Sequence, residues 1–195
     1  MTHSQLLEDS EKIIDWLYSQ LDGLNVPSDA RHKFSGGCFD ATLEYQKAIV
    51  LLVKERLYGA AFALLRAVFE SYVRGLWLHR CATEEDLENF AKDKIPKFYE
   101  LVKAVEKLEG HEDKVLSKIE ERAWKAMNSY THTGYLQVMR RQTETSIEPN
   151  YDDDEVLEVV NAANFFGFLS AIALCDLTDN GVLAKTILDT YESLS

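Results

Sequence analysis

Glycine and proline are scarce in this chain, at 9 and 3 of 195 residues. Folds built from many short strands need many tight turns, and these two residues shape most of them, so such an architecture is disfavoured. Cysteine is also thin. Cys38, Cys81 and Cys175 are far apart and odd in number, and no CxxC or Cys/His ligand spacing occurs. Neither a disulfide framework nor a zinc site is suggested, and reduced thiols in the cytoplasm are the expectation. The chain has no P-loop, GxGxxG, GxSxG or HExxH sequence, so no cofactor and no metal is expected. The run Asp152-Asp153-Asp154-Glu155 lacks the glycine and distal glutamate of a calcium loop and reads as a helix start.

Positive charge is in deficit. Lysine and arginine number 21 against 33 carboxylates, a net charge of -12 and a pI near 4.9. An acidic surface repels polyphosphate at long range, which disfavours nonspecific nucleic-acid binding while leaving room for a local basic pocket. No signal peptide is expected, because Glu8, Asp9, Glu11, Lys12 and Asp15 interrupt any apolar run near the start. Val159 to Cys175 carries no formal charge, yet it falls short of the ~20 residues of a spanning helix and contains Asn161, Asn164, Gly167 and Ser170. It is expected to be a buried bundle helix, with no membrane partner.

What remains is helical periodicity. At 46% apolar and 28% charged residues, the chain suits one domain over residues 1–195. Apolar spacing predicts a first helix from about Ser4 to Leu24 and a second from Phe34 to Val53, its opening turns loosened by Gly36-Gly37. Thr83 with Asp86 marks a cap, and Pro96 suits the first turn of a helix stopping at Gly110. A further helix from about Glu112 breaks at Thr131-His132-Thr133-Gly134, and Tyr135 to Arg141 continue it for two turns. A long helix runs from Asp152 or Asp153 through Leu177, and a last one from Val182 to Leu194. The fold class is an all-α, mostly antiparallel helical bundle.

The helix expected from Leu57 to Cys81 is apolar almost all round, as befits the centre of a bundle or a subunit interface. Its exception is a polar line, Arg66, Glu70 and Arg74, spaced by four and so kept on one face. Buried charge is costly unless other groups complete its hydrogen bonds. The line is therefore either a structural ion network or a polar pocket. A second polar concentration is Asn128-Ser129-Tyr130-Thr131-His132, where a histidine beside a helix break can act as acid or base. Gln137, Arg140 and Arg141 form a small basic patch, suited to a phosphate or to a solvated helix end.

Two blocks, ALLRAVFESYVRGLWLHRCAT (Ala63 to Thr83) and WKAMNSYTHTGYLQVMRR (Trp124 to Arg141), together resemble a family of uncharacterised bacterial all-helical proteins and, more remotely, the HEPN-like helical bundles. That resemblance implies a homodimer and, for HEPN domains, metal-independent ribonucleases of toxin–antitoxin and phage-defence systems. Their signature is an arginine, four to six residues, then a histidine near a helix break. Arg74 and His79 match it literally, but residues five apart on a helix diverge by about 140°. At the helix break, Lys125 stands where the arginine would precede His132, and lysine lacks the guanidinium fork. Two readings follow. One is a noncatalytic binding or defence-accessory protein with a protein partner. The other is a HEPN-like nuclease or nucleotide-handling effector acting on RNA or nucleotide. There His132 is acid or base, Arg66 and Arg74 neutralise phosphate, Glu70 orients them, and Asn128, Tyr130, Gln137 and Arg140 complete the binding site.

Overall fold

The computed structural model describes residues 3–194, which form nine α-helices and no strand. In chain order they are α1 (His3–Leu21), α2 (Ala30–Lys54), α3 (Tyr58–Arg80), α4 (Glu84–Phe90), α5 (Phe98–Val105), α6 (Val115–Thr131), α7 (Tyr135–Met139), α8 (Asp153–Leu177) and α9 (Gly181–Leu194). The all-α bundle expected from periodicity is present, with α3 packed against α2, α5, α6 and α8.

Helix ends follow local chemistry more closely than apolar spacing does. α2 begins four residues before Phe34 because Asp29 caps it, accepting from the His32 N–H at 3.2 Å. Gly36 and Gly37 lie inside the unbroken helix and loosen nothing. At α4 the cap is as read: Thr83 and Asp86 satisfy each other's backbone N–H groups. Pro96 stands outside α5 rather than in its first turn, since Lys97 is the capping residue, and the helix stops at Val105, well before Gly110. The two turns expected after the break shrink to the five residues of α7.

α2 and α3 form an antiparallel pair across the turn at Glu55–Leu57, where Arg56 takes a left-handed conformation at φ 59°. They approach closely because α3 carries Gly75 opposite Phe39. A methyl group at position 75 would stand 2.5 Å from that ring. α8 is long and apolar enough to span a membrane, but thirteen of its residues are buried in the bundle. Its polar residues are partly used up inside: Asn164 donates to Ser10 Oγ at 2.8 Å and accepts from Gln46 Nε2 at 3.0 Å. Gly167 leaves room for the Gln46 amide, which a β-carbon there would strike at 2.0 Å.

These contacts give opposite expectations for two glycines. Gly75→Ala drives a methyl into a ring that has no exposed side to move toward, and it should destabilise by about 1–3 kcal/mol. Gly37→Ala fills open space on an exposed helical turn and should stabilise by about 0.5–1 kcal/mol. Urea denaturation of both variants checks the pair.

Candidate functional site

The polar line on α3 is built around Glu70, which is only 9% exposed. Its Oε1 accepts from Arg66 Nε and its Oε2 from Arg74 Nη2, each at 2.6 Å. Residues four apart on a helix are neighbours, so one carboxylate can take both arginines without bending the backbone. The arginines are half-buried. The interior expected for all three charges therefore holds for Glu70 and only in part for its partners.

Arg66 then reaches α6. Its Nη1 lies 2.7 Å from His132 Nε2. A guanidinium only donates, so the ring nitrogen must accept and the histidine proton must sit on Nδ1. The plane of Arg66 rests on Trp124, 4.9 Å from its ring, which is the geometry of a cation–π contact. Trp124 in turn stacks on Phe98 at 4.5 Å, and Phe98 meets the buried Phe69 edge-on at 5.2 Å. An aromatic column thus runs from the core through α5 and α6 to the guanidinium. Trp124 supports Arg66 from below and does not seal the site: His132 is exposed.

The helix break holds His132 in place. Gly134 N–H returns to Ser129 O at 2.7 Å, and Thr133 adopts the left-handed conformation at φ 52°, as in a Schellman ending. Glycine occupies not the left-handed position but the next one, where a β-carbon would stand 2.7 Å from Ser129 Oγ. A β-branched residue at positive φ is strained. Thr131 Oγ1 also donates to Ala63 O at 3.2 Å, tying this turn to α3. Asn128 contributes its backbone, whose carbonyl accepts from the His132 N–H at 3.0 Å.

The remaining sequence-selected residues belong elsewhere. Tyr130 turns to the other flank of α6, where it packs on Phe62 at 4.9 Å and Tyr151 at 6.5 Å. Burial raises the pKa of its hydroxyl. Gln137 donates to Gly59 O at 3.2 Å and accepts from Tyr151 Oη at 3.2 Å. This is possible because Gly59 has no side chain: a β-carbon would lie 3.0 Å from both Gln137 Nε2 and Tyr151 Oη. Arg140 pairs with Glu155 and, at 3.5 Å, with Asp152 at the start of α8, so it is a neutralised link rather than an open phosphate fork. Tyr151, central to this second cluster, lies in a loop whose sequence carries no periodicity or motif to mark it.

The literal arginine–histidine match separates as its helical phase requires. Arg74 turns to Glu70, whereas His79 lies 3.0 Å from Asp176 on α8. Burial lowers the His79 pKa, and its Nδ1 is buried without a hydrogen-bond partner. Among the described residues, no three His, Cys, Asp or Glu side chains converge as a metal site.

This layout ranks the network by burial. Glu70→Ala leaves two half-buried cations without their shared counter-charge and should cost about 2–4 kcal/mol. His132→Ala removes an exposed ring and should cost under about 1 kcal/mol. Thr133→Gly should recover about 0.5–1 kcal/mol of backbone strain. Chemical denaturation of the three variants measures the order.

No curated protein and no solved structure matches the chain. A family model does, over residues 39–195, a span that takes in Glu70, both of its arginines and His132. The chain belongs to that family, described as a family of unknown function (DUF6988).

Proposed function

We propose that this is a noncatalytic binding or defence-accessory protein, in which the Arg66–Glu70–Arg74–His132 network holds α6 against α3. One observation carries the reading: the acceptor atoms of the network are already taken, although Arg74 Nε is buried without a partner. Both carboxylate oxygens of Glu70 accept from its arginines, and the Nε2 of His132 is taken by Arg66. A base ready to remove a proton keeps its lone pair for the substrate. The acidity of the chain also works against a polyanionic substrate. The three free cysteines suit a reducing compartment such as the cytoplasm.

A second reading is favoured by the 2.7 Å contact between Arg66 and an exposed His132. A guanidinium beside an imidazole is the pairing a HEPN-like, metal-independent ribonuclease needs, one group for the phosphate charge and one for the proton. Incubating the purified chain with single-stranded RNA in excess EDTA separates the two. The binding reading predicts no cleavage above that of His132→Ala. Cleavage that falls by about 10²–10⁴-fold in both Arg66→Ala and His132→Ala, with the fold retained, replaces it with the ribonuclease.

A further inference from the structure

Five of the thirteen exposed large apolar side chains among the described residues fall between positions 135 and 147. They are Tyr135, Leu136, Val138, Met139 and Ile147, with Tyr135 at 75% and Ile147 at 90% exposure. Single exposed apolar side chains are ordinary, but a cluster of this size marks an interaction surface. Two of the five, Leu136 and Met139, line a groove of about 640 Å³. Phe62 and Leu65 of α3 form the floor, Ala126 and Met127 of α6 one wall, and Val159 and Ala162 of α8 the other. The groove is thus a place beside α3 that no helix of the chain occupies, flanked on both sides by helices. Leu136 and Met139 of α7 close one end.

The rim is acidic. The charged side chains that line it are Arg140, Glu155 and Glu158, and Arg140 is already paired with Glu155 and with Asp152. Glu158 is exposed and lines the groove itself. An apolar floor of this kind receives the apolar face of a helix, and the charge of the rim selects the polar face. A second copy of this chain is a poor occupant, since it would bring the same rim against itself in a protein of net charge -12.

We propose that the groove between α6 and α8 binds an amphipathic α-helix of another protein, with leucine-like residues on its apolar face and lysine or arginine on its polar face. The proposal rests on the binding reading above and names the chemistry of the partner. It is tested on the full chain with two fluorescein-labelled 18-residue model peptides of identical helical pattern, one of leucine and lysine, the other of leucine and glutamate, followed by fluorescence anisotropy. The expected result is saturable one-to-one binding of the lysine peptide, weakened several-fold by added salt, with no binding of the glutamate peptide. Leu136→Ser with Met139→Ser should lose binding at least tenfold, and so should Glu158→Lys, which leaves the apolar floor intact. Circular dichroism confirms that both variants keep their helices. Equal binding of the two peptides, or undiminished binding by either variant, overturns the proposal. So does a concentration-dependent dimer abolished by Leu136→Ser with Met139→Ser, because the occupant is then a second copy. RNA cleavage is read in a separate assay, so failure of the groove and failure of the noncatalytic reading give different results.

Discussion

The bidentate acceptance of Arg66 and Arg74 by Glu70 is the constraint around which the polar side of α3 is arranged. One buried carboxylate fixes two arginines on the same helix and so turns Arg66 toward α6. Without it, two half-buried cations would stand about two turns apart on one helix face with no counter-charge between them, and an uncompensated charge of that kind is far more damaging than the small net worth of an exposed pair. Arg66 then does three things with one planar group: it pairs with Glu70, lies on Trp124 and donates to His132. Lysine could not replace it, because a point charge has neither the plane nor the fork.

α6 divides the surrounding surface into two regions of different character. On one flank, Trp124 and His132 face the charges of α3; on the other, Tyr130 and Met127 border an apolar groove rimmed by acids. The turn at Thr133-Gly134 serves both. It ends α6 with His132 as the capping residue, and it redirects the chain so that Leu136 and Met139 of α7 line the groove.

Much of this could be read from the residues. The spacing of Arg66, Glu70 and Arg74 placed them on one face, and the break at Thr131–Gly134 was visible in its composition. That Arg66 meets His132 follows from how α6 docks on α3, which depends on the column Phe69–Phe98–Trp124 and on Thr131 bonding to Ala63. Such contacts span up to 68 residues of sequence and leave no local periodicity. Tyr130 shows the opposite case. Its proximity in sequence to His132 suggested a shared site, but two steps along a helix turn a side chain by about 200°, and it joined Phe62 and Tyr151 instead. Asp29 is not marked by periodicity, because the apolar pattern of α2 begins later than its cap.

The central claim is that Glu70 orients Arg66 so that its guanidinium donates to His132. Long-range ¹H–¹⁵N correlation spectroscopy of the neutral ring of His132 tests this most directly, since it reports which nitrogen carries the proton. The account predicts the Nδ1–H form in the wild-type chain, relaxing toward the ordinary mixture of tautomers in Glu70→Gln. An Nε2–H ring in the wild type, or a tautomer indifferent to residue 70, would contradict it.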